Sequence, residues 1–238
     1  MAETVLQQNS LRERLMDVRA RIERAATKSN RSPEEITLIA VSKTHPSAIL
    51  REAILAGAFD FGENRVQEAE TKIPEVGRRR ARWHLIGHLQ SNKARKAVKL
   101  FDVVHSLDSV DLAERLNRIC EETDRRELPV LVQVDLAGEK TKNGVNESGL
   151  NDVIETVKSL SRLRLIGLMT LPPFFEEAEK VRPYFKRLRE LRDELKKQNI
   201  FANARGELSM GMSHDYEIAI EEGATFVRVG TAIFGERY

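Results

Sequence analysis

Lys43 stands where an apolar strand stops. The run from Ile36 to Pro46, ITLIAVSKTHP, alternates toward the lysine and meets a breaker at Pro46. Period two puts Lys43 on the face of Ile39 and Val41, so an inward-facing strand would hold the ammonium at the mouth of an apolar interior. Desolvation there lowers an amine's pKa and equips it to attack a carbonyl carbon and form a Schiff base. A lysine that merely snorkels, stem buried and head in water, fits the same local pattern.

Residues able to hold an anion lie near the other end of the chain. In SMGMSHD, Ser209 to Asp215, Gly211 permits close backbone approach and Ser213 offers a hydroxyl at the expected N-cap of the next helix. In VRVGTAIFG, Gly230 and Thr231 add backbone N–H groups and a second hydroxyl. Arg228 shares a strand face with Phe226 and Gly230, so it projects toward the same mouth if that face points inward. A buried guanidinium needs an acceptor, either a ligand or a carboxylate such as Asp135. His84 and His88, four residues apart, would be separated by about 13 Å along a continuous strand and could not share an ion. They read as structural or pocket-polar histidines rather than metal ligands. The run GRRRAR, Gly77 to Arg82, could bind an acidic partner but more often such a run is a solvated turn, and Cys120 reads as a packed apolar residue. Neither a P-loop nor a G-x-G-x-x-G motif occurs.

The elements that must position these groups alternate regularly. A capping box of Ser10 and Glu13 opens an amphipathic helix that runs to Lys28, with Leu11, Leu15, Val18, Ile22 and Ala25 on one face. After the strand that carries Lys43, further strands are expected at Phe59–Gly62, Arg82–Gly87, Asp102–Ser106, Pro129–Ala137, Arg164–Met169, Leu208–Gly211 and Phe226–Gly230. Helices are expected between them. Eight strands with helical crossovers suit a closed (β/α)8 barrel, an α/β fold, although an open doubly wound sheet has the same local pattern. The chain's 238 residues approach the roughly 250 typical of one barrel, and no linker or composition shift divides them. A single domain spanning 1–238 is therefore expected. Too little chain follows the eighth strand for a full covering helix, so the N-terminal helix is expected to cover that side.

The bulk numbers exclude several classes. With 39 Lys and Arg against 37 Asp and Glu, the net charge of +2 offers no broad footprint for nucleic acid. No window approaches the roughly 18 apolar residues of a membrane span, and the first fifteen residues lack a signal-peptide core. A cytoplasmic protein is expected.

The motifs AVSKT, FGENRVQEA, WHLIGHLQSNK, HSLDS, GLMTLPPF, LSMGMSHDYEIAI and VRVGTAIFG follow one another in this order. Together they resemble the pyridoxal phosphate homeostasis protein family, a single-domain relative of the alanine racemase barrel (fold type III among pyridoxal phosphate proteins), from about Ser10 to Arg237. The resemblance implies pyridoxal 5'-phosphate as cofactor, held as a Schiff base on Lys43. It implies that Ser213, Gly230 and Thr231 hold the phosphate, that Arg228 faces the pyridine nitrogen, and that Asn64 and Met169 complete the pocket. Relatives often carry lysine where this chain has His45. The implied role is buffering or delivery of the cofactor through transient contacts with apo-enzymes, by a monomer. The alternatives are a racemase-like amino-acid enzyme of low activity, and a barrel binding another phosphorylated metabolite without a covalent link. A two-base racemase would need a tyrosine opposite the lysine, delivered through a second domain, and Tyr184, Tyr216 and Tyr238 are not obvious candidates.

Overall fold

The computed structural model describes residues 10–138, 143–202 and 204–235. Eight parallel strands close on themselves in sequence order, β1 (Thr37–Val41), β2 (Asp60–Glu63), β3 (Arg82–Leu85), β4 (Val103–Leu107), β5 (Leu128–Gln133), β6 (Leu163–Met169), β7 (Glu207–Met212) and β8 (Phe226–Val229). Closure comes from β1 pairing with β8, Ile39 opposite Arg228, which excludes the open sheet. Closure also removes the free edges that an open sheet would expose.

Helices cover the outside: α1 (Leu11–Lys28), α2 (Ser47–Leu55), α3 (Val66–Val76), α4 (Ala94–Leu100), α5 (Val110–Glu122), α6 (Leu150–Ser159), α7 (Arg182–Lys197), α8 (Tyr216–Glu221) and α9 (Thr231–Phe234). The expected capping box is present: the Glu13 N–H donates to Ser10 Oγ, and the Ser10 N–H donates to Glu13. Because α9 has only four residues, α1 lies against it and α8, with Arg14 Nε donating to the Ile233 carbonyl and Arg21 paired with Glu217. This is the covering role expected of the first helix.

Alternation along the strands divides the core in two. Outward residues such as Ala40, Phe61, Trp83, Val104, Leu208 and Val227 pack under the helices. Inward, Ile39, Val103, Leu131, Ile166, Met169 and Phe226 form a small interior cluster. The fifth strand is shorter than expected. Val134 makes only an isolated bridge to Val145, and Asp135 Oδ1 turns to accept from the Ala137 and Gly138 N–H groups of its own loop. Among the described residues no helix is long and apolar enough to cross a membrane. Asn203 and the candidate base Tyr238 lie outside the described residues.

Candidate functional site

Lys43 lies two residues beyond β1, in a turn closed by the His45 N–H donating to the Ser42 carbonyl at 3.1 Å. The residue after it, Thr44, has φ 69°, a left-handed conformation that a β-branched residue adopts only under constraint. The constraint is a buried ionic clamp. Lys72, from α3, donates to the Ser42 carbonyl at 2.8 Å, to Glu63 at 3.0 Å and to Glu68 at 3.0 Å. Glu68 accepts from the Thr44 N–H at 2.8 Å, and Glu63 accepts from the Ser42 hydroxyl at 2.7 Å. Both neighbours of Lys43 are therefore tied to one ammonium and two carboxylates. Burial pushes the Glu63 carboxyl up, and the charge of Lys72 pulls it partly back.

At the C-terminal ends of the strands a cavity of about 450 Å3 opens, within the range of small-molecule sites. Its walls include Lys43, Asn64, Ser213, Arg228, Gly230 and Thr231. Gly87 fixes one wall, because a Cβ there would lie 2.3 Å from the Asn64 carbonyl oxygen. Gly211, at φ 88°, lets β7 turn against α8 where a Cβ would lie 2.5 Å from that of Ala219. On the opposite wall the Ser213 hydroxyl accepts from the Gly230 N–H at 3.2 Å and the Ala232 N–H at 3.5 Å. Ser213 thus joins the β7 and β8 loops across the mouth. It does not cap α8, as the sequence suggested: Asp215 occupies that position and accepts from the Met212 N–H at 2.6 Å. Leu171, Phe174 and Met212 give the rim an apolar lip, with Phe174 largely exposed, and His45 stacks on Phe234 at 4.9 Å.

Arg228 is buried at the cavity floor. It donates to Ser209 Oγ at 2.7 Å and to the Thr170 carbonyl at 2.9 Å, which leaves N–H groups of its five unaccounted for. No carboxylate among the described residues pairs with it, so the Asp135 alternative is excluded. Burial pushes its guanidinium down to about 10, and it remains cationic at neutral pH. Beyond Ser209 a polar chain continues inward: Ser209 Oγ to His105 Nδ1 at 2.9 Å, His105 Nε2 to His84 Nδ1 at 2.9 Å, His84 Nε2 to Asp60 at 2.9 Å.

Six of the seven site residues expected from sequence therefore surround one cavity. The seventh, Met169, is fully buried in the interior cluster and does not reach the cavity wall, because it faces inward one layer too low. His84 and His88 separate: His84 joins the interior chain, whereas His88 lines the cavity and pairs with Asp108 at 3.2 Å. Among the described residues no group of three or more metal-ligating side chains gathers. The clamp and the interior chain were missed. Their available signals were the i,i+4 pair Glu68 and Lys72, and polar residues inside the otherwise apolar strands RWHL and VVHSL.

Comparison with known proteins agrees with this architecture. The family model for the alanine racemase N-terminal domain matches residues 14–238. The pyridoxal phosphate homeostasis protein of Aquifex aeolicus is 43% identical over 225 residues, covering 94% of this chain and 97% of the relative. That of Escherichia coli K12 is 44% identical over 245 residues, covering 96% and 97%. The solved structure of PipY from Synechococcus elongatus PCC7942 with PLP bound superposes with a TM-score of 0.84 at 41% identity, covering 95% of this chain and 100% of PipY. With these relatives spanning nearly the full length of both partners, the chain belongs to the pyridoxal phosphate homeostasis protein family.

Proposed function

We propose that residues 1–238 act as one domain that binds pyridoxal 5'-phosphate at the barrel mouth and serves cofactor homeostasis in the cytoplasm by holding and releasing it. The observation that carries this is one cavity walled by a primary amine, an N–H and hydroxyl cradle, and a buried guanidinium with donors to spare. That donor set fits the cofactor's aldehyde, phosphate and ring nitrogen, and the PLP-bound relative of the same fold supports the fit.

When bound, pyridoxal phosphate supplies an aldehyde that bonds reversibly to a primary amine. Lys43 presents that amine, held at its turn by the Lys72 clamp. Ser213 and Thr231 would offer hydroxyls to the phosphate, and the main-chain N–H groups of Gly230 and Ala232, which here donate to Ser213 Oγ, would exchange that acceptor for a phosphate oxygen. Each charge-assisted hydrogen bond contributes about 1.5–3 kcal/mol. Arg228 would face the pyridine nitrogen, and Asn64 would close the side held by Gly87. Met169 supports the floor from one layer below.

Arg228 also argues against carbanion chemistry. A donor-only cation leaves the pyridine nitrogen unprotonated, and such a ring withdraws electrons less strongly than a pyridinium paired with a carboxylate. Tyr216 is buried between α8 and α1, its hydroxyl pushed up to about 12 by burial, and Tyr184 stacks on Phe175. Neither is positioned as a second base. The relatives' shared name, homeostasis protein, points the same way.

The test is transfer. Loaded protein is mixed with a pyridoxal-phosphate-free apo-enzyme, a scavenger of free cofactor present, and compared with an equal amount of free cofactor. Activation despite the scavenger supports a carrier acting through transient contact. No activation over many hours, or α-proton exchange of L-alanine in deuterated water at enzyme-like turnover, would favour a retained catalytic cofactor.

A further inference from the structure

With both imidazoles neutral, the hydrogen bonds beneath Arg228 run in a single direction. A carboxylate only accepts, so His84 Nε2 must carry the hydrogen that Asp60 receives. Both imidazoles are fully buried. Burial holds both below the usual histidine range, His105 well below, with the charges of Arg82 and Arg228 adding to the effect on His105. Full burial, with the cations Arg82 and Arg228 close by, favours the neutral form of each ring, with one donor and one acceptor. His84 Nδ1 then accepts, so His105 Nε2 donates to it. His105 Nδ1 in turn accepts, so the Ser209 hydroxyl donates to it. The Ser209 lone pairs are left to accept from Arg228, which can only donate. Every link is satisfied once, in the same sense.

The chain also spans the barrel. Asp60 opens β2 and Arg82 opens β3, and together with Phe59 and Asp102 they border a cleft at the strands' N-terminal ends, where Asp60 is partly exposed. Arg228 lines the cavity at the other end. Phe226 packs edge-on against His84 at 5.7 Å and His105 at 5.3 Å, and so holds both rings in place. The charged groups nearest the chain are Arg82 and Asp102 at His84, Arg82 and Arg228 at His105, and Asp215 at Arg228.

We propose that Asp60, His84, His105 and Ser209 are positioning residues for the cofactor pocket, a one-way relay from the N-terminal face of the barrel that orients Arg228 and keeps its unused N–H groups aimed at the bound ring. The relay rests on the pyridoxal phosphate reading only for what Arg228 faces. A reversed relay would need a charged His84, donating to both Asp60 and His105, and would leave the Ser209 hydrogen without an acceptor among these bonds. Asp60, remote from the cavity, thereby helps fix the donor geometry inside it.

The test has two readouts. Long-range 1H–15N correlation spectra of histidine-labelled protein, recorded without cofactor, should show His84 and His105 as neutral Nε2–H tautomers that do not titrate between pH 6 and 8. Titration with pyridoxal 5'-phosphate, followed by absorbance, should then give an approximately tenfold higher Kd for Asp60→Leu, which removes the terminal acceptor, with mixed tautomers at His105. Asp60→Asn keeps an acceptor oxygen and should restore binding to within about threefold. Should Asp60→Leu fail to fold, Ser209→Ala cuts the relay at its other end and is expected to act alike. The proposal is overturned by an Nδ1–H or charged form of either ring in the wild-type protein. It is equally overturned if the acceptor-free variant keeps both the wild-type tautomers and the wild-type Kd. If wild-type protein takes up no pyridoxal phosphate, the cofactor reading fails while the cofactor-free spectra still decide the relay.

Discussion

Replacing Lys72 with methionine should cost the protein about 3–5 kcal/mol at neutral pH, the usual penalty for stripping one partner from a buried ion pair. The size follows from what the ammonium serves. It satisfies the buried Ser42 carbonyl and the fully buried Glu63 carboxylate, and shares Glu68 with the Thr44 N–H. For a chain of this length the loss corresponds to a fall in Tm of roughly 6–20 °C. The sign with pH is set by Glu63, whose folded-state pKa burial already raises above the unfolded value of about 4.3. Between those two values the folded state binds more protons than the unfolded chain, so this group's stabilisation is complete below the unfolded pKa and is lost as pH rises through the folded one. Without Lys72 the folded pKa rises further. Lys72→Met should therefore be hurt more at pH 8 than at pH 5, by on the order of 1.4 kcal/mol per pH unit within that window. Denaturant unfolding at both pH values measures it, and Glu63→Gln added to Lys72→Met should recover a substantial part of the loss. Amide exchange supplies the link to the site, since the Thr44 N–H loses the support of its acceptor and should exchange faster. A loss below about 1 kcal/mol, equal at both pH values and unrelieved in the double variant, would refute the claim that the clamp holds the Lys43 turn.

Two further outcomes concern the cavity walls. Gly87→Ala pushes a Cβ against the backbone of Asn64, 2.3 Å from its carbonyl oxygen and 2.8 Å from its Cα, so thermal melting should show a loss of about 1–3 kcal/mol and titration a weaker hold on pyridoxal phosphate. Ser213→Ala with Thr231→Ala removes both hydroxyls of the cradle, and stopped-flow transfer to a scavenger should show release accelerated by about tenfold or more; an unchanged release rate would place the phosphate elsewhere.

Much of the barrel was legible because local pattern and chain length both bear on it. The Ile36 to Pro46 stretch became β1 and its turn, and parity correctly placed Ile39 inside and Lys43 at the mouth. Closure could not be read locally, since only the β1 to β8 pairing distinguishes a barrel from an open sheet. Ser213 shows how a cap inferred from neighbours can fail: its donors, at Gly230 and Ala232, come from the next strand's loop. Met169, expected in the pocket from the resemblance alone, packs in the interior cluster, a height along the barrel axis that the motif GLMTLPPF does not encode. The interior relay was hidden for the same reason. His105 and Ser209 are 104 positions apart and meet across the barrel interior, while the separation of His84 and His105 reflects only one strand-to-strand repeat. Asp135, the carboxylate the sequence offered to Arg228, is instead held by the Ala137 and Gly138 N–H groups of its own loop.

The central claim, a cofactor bonded to the lysine at the end of the first strand, is tested most directly by borohydride reduction of protein loaded with one equivalent of pyridoxal 5'-phosphate, followed by peptide mapping. The account predicts a yellow protein that bleaches on reduction and carries one pyridoxyl group, on Lys43 alone. A protein that stays colourless with excess cofactor, or a stoichiometric label on any other lysine, would contradict it.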